Sequence, residues 1–322
     1  ERNKEILADA RLAGYPPLVG EALLQLGRAE GRLGNPAKLR EHLVAALLIA
    51  ISNRHDELLA QTLNGLILPA YLGGRPEDAS LWGEMAQAAI GRLGDRRELE
   101  AQRLYHLGLV ESVARRPVQA IEYFEAALAT EPEPSASRHG ALLSNIGTGY
   151  LLLGRYEAAT EPLLRGLDLL EQSYGPAHPF LATVLANLGG AEREQGRYDD
   201  ALPYYRRSLE VLEGALGSDH PDLAHPLTSM AQTLIKADRA AEAIAPLERA
   251  LSLRLDHPQG DPAELARSRF QLARALGATD RERSRAAELA EAARATYTQL
   301  GERSARDLAA VEAWLQQRGG ST

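Results

Sequence analysis

Apolar positions in this chain recur at helical spacing, and the same arrangement returns about every 42 residues. Two stretches align without gaps. One runs from Leu143-Ser144-Asn145-Ile146-Gly147 through Gly154-Arg155-Tyr156-Glu157-Ala158-Ala159, the other from Leu185-Ala186-Asn187-Leu188-Gly189 through Gly196-Arg197-Tyr198-Asp199-Asp200-Ala201. In this frame one residue marks the first half of each unit, at Gly27, Ile67, Gly108, Gly147, Gly189, Ala231 and Ala273. A glycine inside a helix costs about 1 kcal/mol against alanine, so its recurrence needs a compensating cause. Close approach of a neighbouring helix supplies one. The second half repeats a small residue at Ala79, Ala120, Ala159, Ala201 and Ala243, with a large apolar residue four later at Phe124, Leu163, Tyr205 and Leu247. Three further on come Ala86, Ala127, Gly166, Ser208 and Ala250. Four-then-three spacing places small, large and small side chains on one helical face. Each unit is therefore predicted to be helix, turn, helix.

The pattern predicts one array over 1–318: a partial helix at 1–13, helix pairs at 17–52, 56–93, 97–130, 135–173, 178–216, 221–255 and 262–299, and a helix at 302–317. Residues 319–322 read as a flexible tail. The last helix carries the polar face that the end of a stack requires. In the seventh unit Ala286, Ala290 and Ala293 keep the spacing but fall one residue late, so its turn, near Thr279 to Arg283, is expected to be longer. His-Pro pairs at His178, His220 and His257 precede first helices, where a missing N–H is tolerated. His225-Pro226 falls inside a predicted helix, and a local irregularity is expected there.

Leu107-Gly108, Ala120, Phe124, Ala127 and Pro132 resemble the signature of the tetratricopeptide repeat family, with Glu111 in place of the family's aromatic and Tyr150 supplying it one unit later. The family's basic period is about 34 residues, so a period near 42 implies a longer second helix. That length, together with Tyr174-Gly175-Pro176-Ala177-His178-Pro179 and Leu216-Gly217-Ser218-Asp219-His220-Pro221 between units, looks like the kinesin-light-chain variety. The resemblance implies an all-α, right-handed superhelical solenoid of about seven helix-turn-helix pairs with a C-terminal capping helix. Arrays of this appearance, rich in Arg over Lys, also resemble the C-terminal regions of bacterial serine/threonine protein kinases.

Composition narrows the chemistry. Hydrophobic residues make up 45% and aromatics 5%, so the core must be built from Leu and Ala, which suits closely packed helices. There is no cysteine, which removes disulfides and thiolate zinc sites. A net charge of −8 argues against a binder of nucleic-acid phosphates. No apolar run approaches the roughly 20 residues needed to span a bilayer. Lysine occurs only at Lys4, Lys38 and Lys236, none in a glycine-rich phosphate loop, and no kinase-type motif is present. The His-Pro histidines lie one repeat apart without a second ligand at short spacing, so neither a metal nor a cofactor is expected. Carboxylate pairs such as Asp199-Asp200 sit at helix starts, where they favour the helix dipole. The chain is read as a non-enzyme.

Expected function follows from the resemblance. It places Asn64, Tyr71, Tyr105, Asn145, Thr148, Asn187, Arg193, Thr228 and Gln232 on the concave face of the first helices, a binding surface for a peptide or protein segment. Asn and Gln both donate and accept hydrogen bonds, and Tyr supplies flat contact area. A second reading has Asn145 and Asn187 only satisfying backbone groups between helices. One family subtype grips a terminal carboxylate with lysines and asparagines; the comparable positions here, Leu24, Asn64, Tyr105, Ser144, Ala186 and Thr228, do not support such a clamp. The alternatives are a regulatory or substrate-recruiting arm of a larger bacterial signalling protein, such as a serine/threonine kinase, and a self-assembly module. The opening at Glu1, with Asn3 to Leu12 already helical in pattern, reads as a piece of a longer polypeptide, and the expected location is cytoplasmic.

Overall fold

The computed structural model describes residues 2–130, 134–257, 259–279 and 282–319. Among the described residues every regular element is helical. The chain forms two compact units, Glu1–Gly154 and Arg155–Thr322. The first contains α1 (Arg2–Leu12), α2 (Pro16–Arg32), α3 (Pro36–Ser52), α4 (Asp56–Leu72), α5 (Pro76–Leu93), α6 (Arg97–Val113), α7 (Pro117–Thr130) and α8 (Ala136–Leu152). The second contains α9 (Tyr156–Tyr174), α10 (Phe180–Glu194), α11 (Tyr198–Leu216), α12 (Ala224–Lys236), α13 (Ala240–Asp256), α14 (Pro262–Ala278), α15 (Arg283–Leu300) and α16 (Ala305–Gly319).

Turn chemistry sets the helix-turn-helix alternation. Five first helices, α2, α4, α6, α10 and α12, end with an N–H five residues on returning to a carbonyl of the last turn: Asn35 to Glu30 at 2.9 Å, Arg75 to Ala70 at 3.0 Å, Arg116 to Glu111 at 2.9 Å, Arg197 to Glu192 at 2.9 Å and Arg239 to Leu234 at 2.8 Å. This bond closes a helix through one left-handed residue. Gly34, Gly74 and Gly196 fill that place at no steric cost, whereas Arg115 (φ 59°) and Asp238 (φ 59°) adopt it as L residues. Proline at the start of α3, α5, α7 and α14 then launches the next helix, where its absent N–H needs no partner.

In three units side chains clip the same turn. Glu30 accepts from Asn35 Nδ2 at 2.8 Å, Glu111 pairs with Arg116 Nε at 2.9 Å, and Glu192 accepts from Arg197 Nε. The carboxylate at the family's aromatic position is thus a turn lock. Glutamate followed five residues later by Asn or Arg was its visible signal. The signature position Pro132 lies outside the described residues.

Packing bears out the small–large–small face. Ala120, Phe124 and Ala127 are buried, as are Ala159 and Leu163, Ala201, Tyr205 and Ser208, and Ala243, Leu247 and Ala250. The glycine opposite is what admits the large residue. A Cβ on Gly108 would stand 2.5 Å from Phe124 Cε1, and one on Gly189 would stand 2.8 Å from Tyr205 Cζ. Real side chains do not approach so closely, so each ring occupies space that any other residue would fill.

Extra period length appears where the second helix is long: α9 and α11 have 19 residues each, against 15 in α10 and 13 in α12. α14 and α15 are separated by residues 279–282, one more than the 237–239 link between α12 and α13, and 280–281 of that link lie outside the described residues. The irregularity expected at His225-Pro226 is a short 3-10 turn, Pro221–Leu223, ahead of α12. It delays the start of the α-helix so that Pro226 falls in its first turn, where it removes no helical hydrogen bond. A second 3-10 turn, Gly301–Ser304, leads into α16, whose Leu308, Val311, Trp314 and Leu315 cluster with Phe270 of α14 and Tyr297 of α15. Residue 319 ends α16, and the rest of the expected tail, 320–322, lies outside the described residues.

Candidate ligand-binding groove

First helices stand next to first helices within each unit, α2 by α4 and α4 by α6 in the first, α10 by α12 and α12 by α14 in the second. What a side chain on such a row can do depends on its distance from the small residue at mid-helix. Three positions before it, the side chain meets the next first helix. Asn64 is 1% exposed and its Nδ2 donates to the Leu99 carbonyl of α6 at 2.9 Å. Thr228 is buried, donates to the Ala224 carbonyl at 2.7 Å, and lies 3.4 Å from Ser268 Oγ of α14. Leu24, Ser144 and Ala186 share that register and are buried as well. Tyr105, also there, is half-buried, its ring 5.9 Å from Phe124 and 5.7 Å from His106. This register is a seam between helices, so Asn64 and Thr228 hold the row together and do not reach its open face.

Other registers stay partly open. Asn145, two before the small residue, is half-buried and makes no side-chain hydrogen bond among the described residues. Asn187 is its counterpart in α10 and is half-buried too. Thr148 is half-buried and donates to the Ser144 carbonyl at 2.8 Å. Tyr71 is half-buried on α4. Arg193 of α10 donates from Nη1 to Gln232 Oε1 of α12 at 3.3 Å and from Nε to Glu194 at 2.8 Å. Of the nine expected residues, then, the structure joins Arg193 to Gln232 directly, sets Asn187 at the edge of a cavity, and folds two into seams.

That cavity, about 800 Å³, lies wholly in the second unit. Its walls come from the N-terminal halves of α10, α12 and α14, with Leu212 of α11 and Arg254 and Leu255 of α13. Clefts of this size hold ligands with apolar walls and a few convergent polar groups. Arg254 supplies the polar floor. Its Nη1 donates to Thr228 Oγ1 at 2.8 Å, to the Ala224 carbonyl at 3.4 Å and to Ser268 Oγ, while Nη2 meets Glu264 Oε2 at 3.0 Å. Arg267 Nη1 takes the other Glu264 oxygen at 2.5 Å. Burial draws the Arg254 guanidinium below its ordinary pKa, and Glu264 opposes the shift. His225 is exposed to the cavity but walled by protein. That enclosure pushes its pKa below the usual value; Glu264 opposes the change, and Arg254, Arg267 and Arg193 reinforce it. At neutral pH the imidazole is neutral.

Sequence reasoning gave His225 only a structural role, next to Pro226, and passed over Arg254 and Glu264. Their signal is weak, because Arg254 lies on a second helix and only the tertiary fold turns it under the first-helix row. Among the described residues no three His, Cys, Asp or Glu side chains gather as a metal site, and no helix is long and apolar enough to cross a membrane.

Residues 138–214 and 180–256 match the tetratricopeptide repeat family. This stretch carries tetratricopeptide repeats. Solved structures resemble a larger part of the chain. Nearly identical TPR-like repeats of the kinesin light chain type from Podosopora anserina share 20% identity, with 62% of this chain and 95% of that one covered and a TM-score of 0.50. The apo form of RapI shares 13% identity over 87% and 77%, with a TM-score of 0.70. A signal transduction ATPase with a tetratricopeptide repeat sensor, from Pyrococcus horikoshii, shares 13% identity over 91% of this chain and 43% of that one, with a TM-score of 0.72. At these identities the likeness is one of fold: the chain is an all-α, TPR-like solenoid. A comparison with curated proteins gave no match.

Proposed function

We propose that this chain is a scaffold that holds a peptide or protein segment along the open registers of the first helices within a unit, and that it acts by binding rather than by catalysis. The observation that carries the reading is the division of the first-helix face. One register is consumed in helix–helix seams, while Tyr71, Asn145, Thr148, Asn187, Arg193 and Gln232 remain partly open beside it. Asn145 in particular is half-buried with no internal hydrogen bond to satisfy among the described residues. An amide left in that state pairs with the backbone of an extended segment at little cost. Partner capture by crosslinking from the source cell identifies the segment. The Tyr105→Ala and Asn145→Ala double variant is expected to weaken its binding about ten-fold or more in titration calorimetry; unchanged affinity overturns the groove.

A second reading, a regulatory or substrate-recruiting arm of a larger bacterial signalling protein such as a serine/threonine kinase, draws support from the Pyrococcus horikoshii neighbour, in which such repeats form the sensor. The coding sequence flanking this chain tests it. Under both readings the protein is placed in the cytoplasm, which cell fractionation checks.

A further inference from the structure

Histidine caps recur where first helices begin. His55 Nδ1 accepts from the Leu58 N–H at 3.1 Å at the start of α4, His178 Nδ1 from the Phe180 N–H at 3.3 Å at the start of α10, and His220 Nδ1 from the Asp222 N–H at 3.3 Å at the 3-10 turn that leads into α12. The spacing has a local cause. Pro179 and Pro221 have no N–H, so each ring reaches past its proline to the next amide, whereas after His55, followed by Asp56 and Glu57, it reaches the third. All three rings are half-buried. A ring nitrogen that accepts carries no proton, so each of these imidazoles is the neutral Nε2–H form. His257, of the third His-Pro pair, is turned the other way. Its Nδ1 meets the Leu253 carbonyl of α13 at 2.9 Å, and a carbonyl only accepts, so that nitrogen holds the proton. Further protonation leaves this bond intact, and a cation there suits a helix C-terminus. At His55, His178 and His220 protonation instead removes the acceptor and sets a positive charge on the positive end of a helix.

We propose that these three histidines are proton-released caps: neutral, each pins the start of a first helix, and protonated, each lets it go. His178 and His220 act on one place, because Thr183 near the start of α10 and Pro221 and Asp222 of the 3-10 turn line the same cavity. Its mouth is fixed at neutral pH and loosened in acid. An imidazole ordinarily takes up its proton at about pH 6.5, so mild acidification is enough. The groups around each ring allow the change. Near His55, Asp56 is taken by Arg92 of α5 at 2.5 Å and Glu57 by Arg96 at 3.5 Å. His178 makes no ion pair among the described residues; it lies between the Tyr174 ring of α9, stacked at 4.6 Å, and the Phe180 ring at 4.8 Å, which accept a cation on their faces. Glu171 of α9 and Arg207 of α11 pair with each other at 2.5 Å. At His220, Asp222 Oδ2 stands 3.7 Å from Nδ1, so the proton that ends the cap finds a new partner there. Ser218 holds Asp219 at 3.1 Å, and Arg249 of α13 reaches the Ser218 carbonyl at 2.9 Å and Glu213 of α11 at 2.5 Å. The device stands apart from the scaffold reading, and either can fail without the other.

Nuclear magnetic resonance of the isotope-labelled protein tests the proposal. At neutral pH the imidazole spectra are expected to show Nδ1 without a proton at His55, His178 and His220 and with one at His257. Amide hydrogen exchange, corrected for its intrinsic pH dependence, then follows the caps. From about pH 7.5 to about pH 5.5 the Leu58, Phe180 and Asp222 amides are expected to lose about five-fold or more of their protection. The Ala263 amide, which Asp261 caps at 2.8 Å, is expected to keep its own. Asparagine also caps helices and does not titrate, so the His178→Asn and His220→Asn double variant is expected to hold Phe180 and Asp222 protected at both pH values. A proton on Nδ1 of His178 or His220 at neutral pH overturns the proposal. So does protection at their amides that acid leaves unchanged, or an equal acid loss in the asparagine variant.

Discussion

Gly108 shows how much one absent side chain decides. Its place is kept for the Phe124 ring, which is fully buried and has nowhere to retreat. Gly108→Ala gains about 1 kcal/mol of helix propensity but forces a Cβ into that ring, and overpacking of this kind costs about 1–3 kcal/mol. A net loss of stability is expected in thermal denaturation. Gly91, in α5, is the control, since a Cβ placed there would meet nothing within 4 Å: Gly91→Ala is expected to gain about 1 kcal/mol. Equal effects at the two sites contradict the packing account. His106 titrates against the same background. Burial lowers its pKa to about 4, although its Nδ1–H donates to the Gln102 carbonyl at 2.8 Å, a bond that favours the charged form. A folded pKa below the unfolded value of about 6.5 means that the unfolded chain takes up the proton first. The contribution is therefore complete above pH 6.5 and is lost as pH falls from there to about 4. Because the residue keeps some exposure, the loss is expected to be about 1–3 kcal/mol. Denaturant melts across this window should steepen for the native protein relative to His106→Gln; parallel profiles count against it.

At the level of elements, the seams between first helices matter as much as the helices themselves. Arg254 joins α13 to α12 and α14 through Thr228, Ser268 and Glu264, with its side chain 11% exposed. Removing the carboxylate with Glu264→Ala leaves a largely buried guanidinium without its counter-ion, and about 3 kcal/mol of destabilisation is expected. Arg254→Met removes the charge itself, leaves Glu264 with Arg267, and lets Thr228 and Ser268 face each other. It is expected to cost less than about 1 kcal/mol. Chemical denaturation of both variants separates the cases, and equal losses would mean that the ion pair is not what joins the helices. The elements also show what a repeat frame can hide. Asn64, Tyr105 and Thr228 share one register, and the frame assigns them one role, yet Asn64 and Thr228 are sealed in seams while the larger Tyr105 stays half-open.

Across the whole molecule, stability accrues from neighbour to neighbour, since within each compact unit a helix packs chiefly on those adjacent to it in the chain. Arrays of this kind unfold as sums of local interfaces, and cooperativity between distant parts is limited. Calorimetry is expected to give a van't Hoff enthalpy below the calorimetric enthalpy, and a ratio of one would indicate a single cooperative block.

The helical class, the 42-residue period, the helix limits to within a few residues and the small–large–small packing face were legible in the sequence, because each follows from spacing along a single helix and from turn chemistry within a few residues. Gly108 and Gly189 could be read as sites of close approach for the same reason, and the shared Gly-Arg-Tyr turn at Gly154 and Gly196 marked where each pair bends. The site was legible only in part. Whether Asn64 or Asn145 faces open space depends on which neighbouring helix covers a given register. The position of Arg254 under the row, 10 positions from Glu264 and 26 from Thr228, and the meeting of Lys236 with Glu194, 42 positions apart, depend on residues brought together by packing. Local periodicity carries no information about such meetings, so only the tertiary structure decided them.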